Sequence, residues 1–117
     1  MLAWLIAGHL AGDFLLQNKW MSENKEKKIL SLLTHSAVYT AAVWLVSLGC
    51  GGLNWKSVPL IFVTHVFLDN RRFVIWWCKN ITRSYPSAAL IMITDQAWHI
   101  VALILACILD ALLKRGL

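Results

Sequence analysis

The sequence predicts an all-α integral membrane protein, a bundle of four transmembrane helices forming one domain over residues 1–117. Four observations predict it. Hydrophobic residues make up 59% of the chain and charged ones 15%, where soluble domains run at roughly 45–50% and about 25%. The mean hydropathy is +0.63. Seven Trp residues suit a bilayer, because indole settles at the level of the headgroups. The apolar residues are also gathered into four stretches, divided by polar or Gly-containing segments.

The first stretch covers about residues 1–18, just enough to cross a hydrocarbon core of about 30 Å at 1.5 Å per residue. It has no basic n-region and no small-residue cleavage site, and it carries His9 and Asp13 mid-segment. It therefore reads as a membrane helix rather than a cleaved signal peptide. A polar stretch, Lys19 to Lys28, follows and reads as a solvated loop. The second helix runs over about 29–48 and is ended by Gly49, Gly51 and Gly52. The third, about 59–78, opens on Pro59, a favoured first-turn residue. Its apolar part stops at Asp69 before Arg71 and Arg72, which is short for a span, so 73–78 continue the helix or lie in the interface. The fourth covers about 86–113.

The net charge of +5 would suggest nucleic acid on a soluble protein. Between membrane segments it sets orientation instead, and no nucleic-acid partner is expected. Eight basic residues (Lys19, Lys25, Lys27, Lys28, Arg71, Arg72, Lys79, Arg83) fall on one side and three (Lys56, Lys114, Arg115) on the other. The richer side is taken as cytoplasmic, which puts both termini outside the cytoplasm. Cys50, Cys78 and Cys107 form no metal motif and no disulfide framework, and Cys107 reads as a small buried hydrophobe.

The polar residues inside the apolar segments carry the chemistry. His9, Asp13 and Gln17 stand at i, i+4 and i+8 on the first segment. His35 is on the second, His65 and Asp69 on the third, and Asp95, Gln96 and His99 on the fourth. An i, i+4 spacing puts two side chains on one helical face. At 1.5 Å per residue all seven His and Asp lie within roughly 20 Å of the cytoplasmic boundary, reached from alternating chain directions. Three charged Asp at full depth would cost on the order of 8–10 kcal/mol, so they must face the interior and pair, or bind a cation. Neutral imidazole and carboxylate are ligands for Zn²⁺, Fe²⁺ or Mn²⁺. His9, Asp13, His35, His65, Asp69, Asp95 and His99 are thus candidate ligands, sufficient for two ions, with Gln17 and Gln96 as hydrogen-bonding supports behind them. An ion there would activate water towards an ester or phosphoester arriving from the lipid.

H-L-A-G-D-F-L-L-Q (9–17), T-H-S-A-V-Y (34–39), T-H-V-F-L-D (64–69) and D-Q-A-W-H (95–99), in this order, resemble a family of small bacterial and phage membrane proteins known as domain-of-unknown-function family 3307. The likeness covers nearly the whole chain. It implies a bacterial inner-membrane location and carries no activity with it. The motifs are similar, more loosely, to those of membrane-bound metal-dependent hydrolases.

Other readings stay open. The His/Asp set could be interhelical polar glue in a non-catalytic accessory or phage-exclusion protein, or part of a proton or ion pathway. Four helices without a repeat make a poor transporter unless they assemble into a homo-oligomer or a larger membrane complex. Arg71 and Arg72, next to Asp69, could hold anionic lipid headgroups. Gly8 and Gly12 form a small-xxx-small pair for close helix approach. Tyr39 is one turn from His35 and could orient it. Trp20, Trp55, Trp76 and Trp77 are expected in an interfacial belt, and Trp98 in the core.

Overall fold

The structure, a computed structural model, describes residues 1–116. Among these the chain is all α. Helix α1 spans Leu2–Leu10 and continues as a π-helical turn over Ala11–Leu15. Helix α2 is Lys19–Asn24, α3 Ile29–Ser47, α4 Val58–Asp69, α5 Arg72–Asn80 and α6 Ala88–Lys114. Short 3₁₀ turns, Leu48–Cys50 and Trp55–Ser57, link α3 to α4.

Helices α1, α3, α4 and α6 pack in a ring, each antiparallel to its neighbours. Gly8 and Gly12 set the α1–α3 spacing. A Cβ on Gly8 would stand 2.7 Å from Val43 Cα, and one on Gly12 would stand 2.9 Å from the Tyr39 ring. Only glycine admits so close an approach. The core on the side away from the His/Asp cluster is apolar, built from Leu5, Val43, Ile61, Leu103 and Ala106.

The four helices are not four equal spans. Two are long and apolar enough to cross a membrane: residues 29–50, with mean hydropathy 1.6, and α6, with mean hydropathy 2.0. The other two fall short. α1 with its π turn has nine plus five residues, about 21 Å. α4 has 12, about 18 Å. The first stops because the chain leaves helical geometry at Leu16 and restarts at Asn18, whose side chain accepts from Met21 N–H (2.9 Å) and caps α2. The stretch expected as a solvated loop thus contains a helix. The third segment, expected to run over about 59–78, breaks after Asp69. Arg71 adopts a left-handed conformation (φ 63°), and Asn70 Oδ1 accepts from Arg72 N–H (2.9 Å), which starts α5 in a new direction.

Helix α5 is amphipathic and lies against α6. Phe73 and Trp77 stand 5.1 and 5.0 Å from the Trp98 ring, so Trp98 is half-buried in an aromatic cluster rather than in the core. Trp20, Trp55 and Trp76 are exposed, as a belt requires, whereas Trp77 is half-buried. Cys78 is the fully buried cysteine and Cys107 is only partly covered. At the end away from the His/Asp cluster Gly51 (φ 101°) and Gly52 (φ 79°) turn the chain out of α3. Asp110 then fastens that turn to α6, accepting from Asn54 N–H (2.6 Å) and from Lys114 Nζ (2.8 Å), while Lys114 also donates to Gly52 O (2.7 Å).

Candidate metal centre

All seven predicted His and Asp residues are buried, and all come together at one level of the bundle. Each arrives from the position its helix dictates. Asp13 sits in the π-helical turn of α1, a device often found where a side chain must be re-aimed for function. Asp69 is the last residue of α4, and Asp95 and His99 share one face of α6.

His35 lies between two carboxylates. Its Nε2 is 3.0 Å from Asp13 Oδ1 and 3.2 Å from Asp69 Oδ2. His65 Nε2 stands 3.6 Å from Asp69 Oδ2 and 3.7 Å from Asp13 Oδ1. His99 Nε2 is 4.0 Å from Asp13 Oδ2. The other nitrogen of His99 bonds the backbone: Nδ1–H donates to Asp95 O (2.8 Å), which leaves the Nε2 lone pair directed inward. Asp13, His35, His65 and Asp69 can each offer one atom such that all lie within 4.8 Å of one another, and so can Asp69, Asp95 and His99. Asp69 belongs to both groups. Ligands at 2.0–2.1 Å in a tetrahedron stand about 3.3 Å apart, so within the first group the 3.6 and 3.7 Å spacings of His65 Nε2 from Asp69 and Asp13 need only a small contraction around an ion.

Several buried polar atoms here have no hydrogen-bond partner. Among them are both nitrogens of His65, His99 Nε2, Asp69 Oδ2 and Asp95 Oδ1. A buried donor or acceptor left unpaired costs about 1–3 kcal/mol, more if charged. A cluster with this many orphans is a poor structural network but a suitable donor set for a divalent ion.

His9 Nδ1 is also close to the cluster, 3.7 Å from Asp13 Oδ2, but its nitrogens are committed elsewhere. Tyr39 O–H donates to its Nδ1 (3.0 Å) and its Nε2–H donates to Gln96 Oε1 (2.8 Å), so both ring nitrogens are engaged. Gln96 Nε2 in turn donates to Asp95 Oδ2 (3.2 Å). His9 and Gln96 therefore hold Asp95 in place, the arrangement expected of groups behind a ligand. Gln17 is turned back on its own helix, donating to Asp13 O (3.2 Å). Tyr39 does not orient His35: its ring stacks on His65, with centroids 3.7 Å apart.

The cation beside Asp69 is Lys25, whose Nζ donates to Asp69 Oδ1 (3.0 Å) and whose side chain is only 7% exposed. Arg71 instead lies 3.3 Å from Glu26, and Arg72 is exposed. Lys25 was hidden in a run of lysines that reads as solvent-facing. The one clue is its place one turn after Met21, the other buried residue of that segment. A cavity of about 220 Å³ adjoins the cluster. Buried Asp13, Asp95 and Lys25 line it together with Arg71, Glu26 and the exposed apolar side chains Phe14 and Met92.

A family model described as a protein of unknown function (DUF3307) matches residues 1–114. The chain belongs to the DUF3307 family. No curated protein and no solved structure matches it. The looser likeness to membrane-bound hydrolases has no counterpart in these comparisons. Every motif of the family-like pattern, from His9 to His99, lies within the matched residues and contributes to the cluster or to its supports.

Proposed function

We propose that the protein is a membrane-embedded metalloprotein whose cluster holds two divalent ions, zinc, iron or manganese, and that it hydrolyses a lipid-borne ester or phosphate. The observation that carries this reading is the convergence of two buried sets, Asp13, His35, His65 and Asp69, and Asp69, Asp95 and His99, each able to offer atoms within 4.8 Å of one another, several of those atoms without a hydrogen-bond partner. The ligands are Asp13, His35, His65, Asp69, Asp95 and His99, with Asp69 shared between the ions. His9 and Gln96 position Asp95, and Tyr39 positions His65 by stacking.

Two features support a membrane setting. Large apolar side chains are exposed all round the helices, among them Leu15, Ile29, Leu30, Val63 and Ile93. The long axis of 44 Å matches a bilayer with its headgroups, about 40–45 Å. The half-length helices α1 and α4 then end beside a polar cavity, the one place where broken backbone is tolerated at membrane depth. The lysine and arginine distribution favours both termini outside the cytoplasm, and the family likeness favours a bacterial inner membrane.

Bound ions would offset the carboxylates and bring the pKa of a bound water towards about 7. In the hydrolysis the water oxygen bonds to the acyl carbon or phosphorus. The bond to the ester oxygen breaks, and the departing alcohol takes a proton. The chain supplies a buried polar site, a carboxylate able to accept the water's proton, and the exposed apolar side chains of Phe14 and Met92 for the lipid part.

The relay Tyr39–His9–Gln96–Asp95 favours a second reading, a proton pathway. It weighs against this that Leu5, Val43, Ile61 and Leu103 pack beyond Tyr39 and offer no polar step onward. Elemental analysis of purified protein, together with turnover of a phospholipid monoester and of a fatty-acyl ester, tests the main reading. It expects bound metal and hydrolysis of one substrate, both lost in His65→Ala. Metal-loaded protein that turns over neither removes the catalytic half of the proposal.

A further inference from the structure

Resting on that reading, we infer that the cavity beside the cluster is an anion subsite for the phosphate group of a phosphoester, with Lys25 and Arg71 as the side chains that hold its charge. A group seated in this cavity of about 220 Å³ lies against Asp13 and Asp95, two of the six ligands. Both cations that line it have donors to spare. Lys25 uses one of its three ammonium hydrogens, on Asp69. Arg71 Nε is buried without a well-formed hydrogen bond, although Glu26 Oε1 is 3.3 Å away. Arg71 is also fixed at the head of α5 in a left-handed backbone conformation, a strained state that costs of order 1–3 kcal/mol and recurs at ligand clamps.

The charges decide between substrate classes. Asp13, Asp69, Asp95 and Glu26 give −4 and Lys25 and Arg71 give +2, so the cavity and the adjoining Asp69 carry −2 without ions. Two divalent ions change this to +2. The loaded site then attracts a phosphate group, and an uncharged carboxylic ester would have no use for the two cations. Guanidinium and ammonium are the usual partners of phosphate oxygens. Exposed Phe14 and Met92, which also line the cavity, suit the hydrocarbon part of a lipid whose phosphate sits inside, whereas a soluble phosphoester would not engage them.

Calorimetric titration of inorganic phosphate into detergent-solubilised, zinc-loaded protein tests the inference. Phosphate should bind the loaded protein and not the chelator-stripped one. Arg71→Gln should raise Kd about tenfold or more with zinc content unchanged, the loss of one charge-assisted hydrogen bond. Glu26→Gln, which frees Arg71, should lower it. Lys25→Gln should weaken binding at least as much as Arg71→Gln. Lys25 is buried, so its replacement also puts folding at stake, and half-exposed Arg71 keeps the test decisive. Phosphatidic acid in neutral micelles should displace phosphate if the source is a headgroup, and its failure to do so alongside tight phosphate binding marks a soluble source. Zinc-loaded protein that does not bind phosphate, or binds it equally well in Arg71→Gln, overturns the subsite and leaves the metal centre standing. A protein that takes up no zinc overturns the metal reading, and the subsite with it.

Discussion

The two ends of this bundle each bury carboxylate, but in opposite styles. At one end Asp110 is 3% exposed and fully engaged, holding Asn54 N–H and Lys114. At the other, the cluster end, Asp13, Asp69 and Asp95 are similarly buried, yet His65, His99, Asp69 and Asp95 keep polar atoms without partners. Asp110 shows what a buried structural carboxylate looks like in this fold: one acid, one backbone amide, one lysine, nothing left over. The His/Asp cluster keeps a surplus of buried polar atoms that nothing in the fold meets. That surplus is what supports the proposed ligand set over polar glue.

Substitutions at the two ends should therefore fail differently. The largest effect is expected from Asp69→Ala, since Asp69 belongs to both ligand groups. Elemental analysis should find bound metal reduced from about two equivalents to near none. Retention of both ions would erase the distinction between the ends. Next is removal of metal from the wild type. A ligand held at 100 times its Kd stabilises by about 2.7 kcal/mol, so chelation should lower Tm by several degrees in wild type and not in Asp69→Ala. Gly8→Ala forces a Cβ to within 2.7 Å of Val43 Cα and should cost about 1–3 kcal/mol, read by thermal unfolding, with partial loss of metal as α1 is pushed away. Asp110→Asn keeps an acceptor for Asn54 N–H and weakens the pair with half-exposed Lys114. It should cost about 1 kcal/mol and leave metal content unchanged. Tyr39→Phe removes one hydrogen bond to His9 but keeps the stack on His65. It should weaken metal binding by tenfold at most, in a metal-competition titration.

The residues of the cluster were legible in the sequence for a physical reason. His and Asp are costly inside apolar helices, so each stands out, and the i, i+4 spacing with the common depth places them together. Their division of labour was not legible. Whether His9 is a ligand depends on Tyr39 and Gln96, which reach it from two other helices. Lys25 escaped because a lysine-rich run between apolar segments is usually solvated, and only the fold of α2 turns this one inward. The four apolar stretches forecast the four helices of the ring, but not the lengths of the first and third. A π-helical turn and a left-handed arginine are local backbone choices that hydropathy does not register. Both irregularities lie at the cluster, where the backbone departs from regular helix in order to aim Asp13 and end α4 at Asp69.

The central claim is that the surplus at the cluster end exists to hold divalent ions. Anomalous diffraction from crystals of the protein purified without added chelator tests this most directly. The account predicts anomalous peaks at two positions sharing Asp69, one facing His35 and His65 and the other facing Asp95 and His99. A well-ordered cluster with its side chains as placed here and no anomalous scatterer, even after soaking in zinc and manganese, would contradict it.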